Sequence, residues 1–314
     1  MENEIDYVKI KIPSSFDLVE QAKKYNIDKE ELRDFHNSNC SISEYIFGNE
    51  FIYLEYLYLS KDIYSKWLDQ QLLNIKLTLP SDKLITKYGV IINYSPQNVK
   101  IHFEVDILRD GNVVEINKGK SYLNDKIPDL LVEQLVEKAS NVLYPLQLSI
   151  NEFGSFTKVL NKKDILIKWK NEVQPELASY YKGVIVEDMI NKMNHIFLNL
   201  DENKKSLYQN LFFQLYFSPI YRNYLEYKNK GYCDIYFSAL NDFISYDIDF
   251  ELEKVFINNK KVLRIKGKDK SETGQLDIVY KLNKETNEIF SIVGNFSTKL
   301  NKINYGIDFE MYSF

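Results

Sequence analysis

From Tyr232 to Tyr312 the chain alternates apolar and polar residues in six successive runs, and this period of two limits the fold more than any other feature. The runs are Tyr232–Leu240, Ile244–Leu252, Val262–Ile265, Gln275–Leu282, Ile289–Phe296 and Ile307–Tyr312. Turn-forming pairs lie between several of them, at Asn258-Asn259, Thr273-Gly274 and Thr286-Asn287. Successive strand residues point to opposite faces, so each run offers one apolar face and one solvated face. Short links between such runs favour antiparallel neighbours, and an antiparallel meander of about six strands is expected here.

A second strand-rich region precedes it. Leu73, Ile75, Leu77 and Leu79 alternate up to Pro80, and Val90–Tyr94, Val99–Leu108 and Val113–Ile116 follow. Arg109-Asp110-Gly111-Asn112 joins the last two as a hairpin, because Asp-Gly tolerates the backbone a tight turn demands. Pro128 opens a helix reaching Leu143, with Leu131, Leu135, Ala139 and Val142 on one face. Leu146, Leu148 and Ile150 pair with Phe156–Leu160 in a further hairpin turning at Asn151–Gly154. The middle is helical. Asn161 caps a helix carrying Ile165, Ile167 and Trp169, which Pro175 interrupts; Val184–Leu200 and Ser206–Tyr227 continue the pattern, with a break at Pro219. Leu211, Phe212, Phe213, Leu215, Tyr216 and Phe217 mark the last of these as a core helix. No repeat or low-complexity linker interrupts residues 73–314, so one α+β domain with helices packed on a large antiparallel sheet is expected.

The N-terminus has another character. Ile10 and Ile12 alternate as a short strand that Pro13 stops. Asp17 is placed to cap a helix with Leu18, Ala22 and Tyr25 buried, and Asp28 to cap a second with Glu31 three residues on and Leu32 and Phe35 inward. Gly48-Asn49 then turns into Phe51-Ile52-Tyr53-Leu54, another strand. This βααβ order resembles a LysM (lysin motif) domain. Ala22-Lys23-Lys24-Tyr25-Asn26-Ile27 fits the phrase that ends the family's first helix. Leu32, Phe35 and Asn37 fit the second, with Asn37 displaced one place by His36, and residues 46–54 fit the closing turn and strand.

The resemblance implies a small module over residues 1–60. Beyond it, residues 61–72 read as a connecting helix with Trp67 on its buried side. In LysM domains of the glycan-binding kind, the loops before the first helix and after the second hold N-acetylglucosamine polymers. That makes Ser15, Phe16, Asp17, Asn37, Phe47 and Gly48 the candidate docking or glycan-loop residues. Both loops depart from the family: Ser15-Phe16-Asp17 replaces Gly-Asp-Thr, and extra residues surround Ser38-Asn39-Cys40. LysM-like modules also clamp neighbouring subunits in contractile injection machines such as phage tails and type VI secretion baseplates, and the departures turn the expectation toward protein docking.

Charge and composition narrow the function classes. A formal net charge of -5 argues against nucleic-acid binding, which needs a concentrated basic face. The short basic runs Lys118-Gly119-Lys120 and Lys266-Gly267-Lys268 read as hairpin turns. The first six residues are acidic where a secretory signal would be basic and then apolar, so a cytoplasmic location is expected. Apolar runs fall short of the ~20 residues of a membrane span. Cys40 and Cys233 are far apart and read as free thiols. Three histidines show no metal-ligand spacing, with His102 on a strand and His195 on a helix expected at or near the surface. Asp247, Asp249, Glu251 and Glu253 place four carboxylates on one strand face; they could hold a divalent cation, but the solvated face of a sheet with Ile248, Phe250 and Leu252 inward is the simpler reading. No nucleophile elbow, phosphate loop or metalloprotease motif occurs. A non-enzymatic intracellular scaffold or adaptor without cofactor or metal is expected, bound to other proteins in a larger assembly such as a contractile injection or secretion apparatus. The alternatives are a peptidoglycan- or chitin-binding protein, and a ligand-holding domain whose sheet faces the helices around Leu207–Tyr224.

Overall fold

The computed structural model describes residues 6–12, 16–51, 54–200, 204–224, 230–253 and 260–314. The chain is α+β and divides into two compact units, Met1–Ile75 and Lys76–Phe314.

The first unit contains β1 (Tyr7–Lys11), β2 (Phe16–Asp17), α1 (Leu18–Tyr25), α2 (Lys29–Asn39), β3 (Glu50–Phe51), β4 (Tyr56–Ser60) and α3 (Lys61–Ile75). β1 pairs antiparallel with β4, and β2 with β3. The strand that closes on β1 is therefore Tyr56–Ser60; of the expected strand Phe51–Leu54, only Phe51 is in a described strand, and Ile52 and Tyr53 lie outside the described residues. Both helix starts follow the sequence. Asp17 Oδ1 accepts the Val19 and Glu20 amides at 2.8 and 3.1 Å, and Asp28 Oδ1 those of Glu30 and Glu31 at 2.8 and 3.3 Å. Phe16, Leu18, Ala22, Tyr25, Leu32 and Leu57 are among the buried residues of this unit's core. On α2 the inward pair is Leu32 and His36, one helical turn apart, while Phe35 is only half-buried. α3 packs within this unit, where Trp67 meets the Tyr25 ring edge-on at 5.2 Å. It runs on through Ile75, where a strand from Leu73 was expected, because a short apolar run such as Leu72-Leu73-Asn74-Ile75 suits either period.

The second unit opens with β5 (Leu84–Ser95), β6 (Val99–Asp110) and β7 (Val113–Leu123), then α4 (Leu131–Ser140), β8 (Leu146–Ile150) and β9 (Phe156–Val159). Helices α5 (Lys162–Lys168), α6 (Gln174–Tyr180), α7 (Val184–Leu198), α8 (Lys204–Tyr208) and α9 (Leu211–Tyr216) follow. The meander β10 (Lys230–Phe237), β11 (Asp242–Leu252), β12 (Lys260–Asp269), β13 (Gln275–Asn283), β14 (Ile289–Leu300) and β15 (Ile303–Ser313) completes it. All eleven strands form one antiparallel sheet in the order β10-β11-β12-β13-β14-β15-β5-β6-β7-β8-β9. The last strand thus zips onto the first, from Gly306 opposite Ser95 to Ser313 opposite Tyr88. One face carries the core, and α9 lies against it. The Tyr88 ring of β5 meets Tyr216, Phe103 of β6 meets Phe212, and the Tyr280 hydroxyl of β13 donates to the Leu215 carbonyl at 2.9 Å.

Three local expectations are corrected. The helix of residues 162–180 is not broken at Pro175; a π-helical turn at Trp169–Val173 widens the winding ahead of it, so the missing proline N–H and the ring are accommodated. Among its described residues, Ser206–Tyr227 is not one helix: Asn210 Oδ1 takes the Phe212 amide at 3.0 Å and starts α9 afresh, and α9 ends at Tyr216, ahead of Pro219. Residues 225–227 and the expected turn at Asn258-Asn259 lie outside the described residues. Lys118-Gly119-Lys120 and Lys266-Gly267-Lys268 lie inside β7 and β12, not in turns. Gly267 is there for close strand approach, since a Cβ would stand 2.7 Å from the Asp247 carbonyl oxygen. The β14–β15 turn falls at Asn301-Lys302, both with positive φ, a tight hairpin carrying no glycine.

Candidate functional site

The loop between α2 and β3 presents apolar side chains on a fixed backbone. His36 and Asn37, adjacent on α2, reach into it. The His36 Nε2 donates to the Glu44 carbonyl at 2.8 Å, while its Nδ1 accepts the Tyr58 amide of β4 at 3.1 Å. The Asn37 amide clamps Ile46 at both ends, donating to its carbonyl at 3.1 Å and accepting its N–H at 2.8 Å. Held this way, Ile42 and Phe47 are each 80% exposed, and the Tyr45 ring leans on Phe47 at 6.0 Å between centroids.

The six residues singled out in the sequence therefore separate. Phe47 and Gly48 are exposed on this loop. Asn37 is the clamp beneath it, Asp17 is occupied as a helix cap, and Phe16 is buried in the core. Ser15 lies outside the described residues. His36 is the residue that sequence reasoning passed over. Its signal was its spacing from Leu32, which puts it on the buried stripe.

Burial holds the His36 imidazole below its ordinary pKa of 6.5, opposed in part by the bond to Glu44. A proton on Nδ1 would also remove the acceptor of the Tyr58 amide. Below about pH 6.5 the unfolded chain takes up a proton that the folded unit resists, so stability present above that pH is lost as pH falls toward the depressed folded value. The amide protection of α2 and β4 against hydrogen exchange is expected to drop between pH 7.5 and 5.5, after correction for intrinsic rates. His36→Asn should flatten that slope; an unchanged wild-type protection would refute the assignment.

The acidic strand has a plain explanation. Asp247, Asp249 and Glu251 stand opposite Lys268, Lys266 and Arg264 of β12, and Glu253 pairs with Arg264 at 2.6 Å. Cations on the next strand answer the carboxylates. No group of three acidic, histidine or cysteine side chains is placed to hold a metal among the described residues. His102 stacks on Tyr122 at 4.6 Å, and His195 is exposed beside Asn199. Both cysteines are free.

The second unit holds a cavity of about 540 Å³ between α9 and strands β10–β13. Leu215, Phe217, Ile248, Phe250, Ile265 and Ile278, all buried, form much of its wall. Cys233 lines it too, and burial pushes its thiol up to about 12, so the sulfur is a neutral thiol at physiological pH and a weak nucleophile. Gln214 sits at the opening and satisfies the free edge of β10: its amide donates to the Asp234 carbonyl at 2.9 Å and accepts the Tyr236 N–H at 3.5 Å.

No protein-family model and no curated protein matches this sequence. Function therefore rests on the two sites themselves. Neither brings an activated nucleophile to a base: the loop offers apolar contact area, and the cavity offers a neutral, mostly apolar lining. No helix is long and apolar enough to cross a membrane among the described residues.

Proposed function

We propose that this protein is a non-catalytic adaptor that docks a neighbouring protein through residues 42–48 of its LysM-like N-terminal unit, as part of a larger intracellular assembly. The observation that carries this reading is the exposure of Ile42 and Phe47 on a backbone pinned from beneath by His36 and Asn37. Ordering a loop on binding costs free energy, and a loop already held in place avoids most of that cost. Exposed apolar side chains gathered on one loop are the kind of surface that a partner buries. A contractile injection or secretion apparatus is the setting that the LysM resemblance suggests, by analogy alone. The glycan alternative has less support, because the polar side chains it would use are engaged: Asp17 in a cap and Asn37 in a clamp.

The test uses the full chain immobilised and exposed to native lysate at low salt, beside the variant Ile42→Asp/Phe47→Asp. A defined protein retained by the wild type and reduced at least tenfold by the variant is expected. Recovery of the bait alone, in repeated trials, would overturn the proposal, and so would equal retention by both forms. Co-sedimentation with insoluble peptidoglycan, undiminished in the variant, would establish the glycan alternative instead.

A further inference from the structure

The cavity of the second unit has a chemistry of its own, independent of the loop. Its deep wall is aliphatic and aromatic, contributed by α9, the residues after it, and three strands of the sheet. At about 540 Å³ it falls in the range of pockets that enclose small ligands. The polar groups it does contain are neutral or already engaged. The Cys233 thiol is protonated, and the Gln214 amide is committed to the β10 edge. Tyr208, with an apolar ring and a polar tip, also lines the cavity. The neighbouring Asp234 carboxylate is turned away from it: it accepts the hydroxyl of Ser245, its partner on β11, on the solvated face of the sheet that also carries Asp247 and Asp249. Neither lysine nor arginine lines the cavity among the described residues.

These features select a ligand by exclusion and by fit. An ionised group inside would be desolvated without a partner, so the buried part must be hydrocarbon. Each methylene moved from water into such a wall adds to the affinity, so a chain of several carbons is enough for specific binding. A free carboxylate head would find no cation on this lining among the described residues, whereas an uncharged head needs none. We infer that this cavity binds a single alkyl chain whose polar end is uncharged, that is, an ester- or amide-linked acyl group. Such a chain can come from a glyceride or from an acylated polypeptide.

The experiment is calorimetric titration of the full chain with monodecanoylglycerol and with an N-decanoyl peptide amide, each below its micellar concentration. Saturable binding of one molecule per chain is expected for at least one of them, and the tighter one names the source. Decanoate should bind at least tenfold more weakly than the tighter neutral ligand. One variant locates the site. Cys233→Phe fills the cavity and should weaken the neutral ligand at least tenfold. Absence of saturable binding by either neutral ligand would overturn the inference. Full affinity in Cys233→Phe would place the binding elsewhere, and decanoate bound as tightly as the neutral ligands would refute the selection for an uncharged head. None of these outcomes touches the loop, so failure here leaves the docking proposal standing.

Discussion

Trp169→Ala is expected to lower the unfolding free energy of the C-terminal unit by about 4 kcal/mol. Trp169 is fully buried where the helix passes into its π-helical turn. Its ring lies 5.0 Å from that of Phe197, and its Nε1 donates to the Asn194 side chain at 2.7 Å. Alanine removes the ring, opens a cavity between α7 and the π turn, and strips the half-buried Asn194 amide of a donor. Loss of the hydrogen bond alone is worth about 1 kcal/mol; the cavity supplies the rest. Trp169→Phe keeps most of the ring volume and should cost about half as much. Urea denaturation of the whole chain checks this, with the midpoint of the second unit falling while the slope stays constant. A change below about 1 kcal/mol in the alanine variant would mean that the helices close over the gap.

Gly274→Ala is expected to cost about 3 kcal/mol, although it adds a single methyl group. A Cβ at this position would stand 2.4 Å from both Asp269 Oδ2 and the Ser297 carbonyl oxygen. Neither can retreat freely. Asp269 is held by the Ser271 hydroxyl at 2.8 Å, the Thr273 amide at 3.1 Å and the Thr298 hydroxyl at 3.0 Å, and Ser297 belongs to β14. Burial alone would raise the Asp269 pKa, but these donors and the Gly274 backbone together hold it below the ordinary carboxylate value. The methyl group must break part of this network or spread β13 from β14. Gly48→Ala is the control: nothing lies within 4 Å of its Cβ, and a change within about 0.5 kcal/mol is expected. Equal midpoints for the two variants would show that the Asp269 turn yields without cost.

Much of the fold was legible because its signals are local. Asp17 and Asp28 cap helices as their positions imply, and the strands of the C-terminal meander appear in the order their alternation requires. The failures are also local in cause. Lys266-Gly267-Lys268 looked like a turn because glycine between lysines suits one, whereas Gly267 serves a close approach of β12 to Asp247 of the preceding strand, which only the pairing register decides. The Asn301-Lys302 hairpin was missed because it lacks the glycine that usually marks a positive φ. Arg109 read as part of a hairpin turn; the side chain is buried, with its Nη2 3.4 Å from the Tyr216 hydroxyl and its guanidinium 5.9 Å from the Tyr221 ring.

The sites divide the same way. Phe47 and Gly48 could be picked out by their place in a LysM-like order, but the pinning of their loop depends on His36 reaching both Glu44 and Tyr58, which only the folded unit brings together. The cavity was still less visible, since its wall comes from residues as far apart as Leu215 and Ile278. By itself the sequence determined the periodicities, the caps and the α+β class, because those depend on neighbours a few residues away. Only the tertiary structure decided that β15 closes onto β5, which side chains the eleven-stranded sheet turns toward α9, and where a neutral, apolar cavity remains between them. Those outcomes follow from packing between distant segments, and packing is a property of the whole unit.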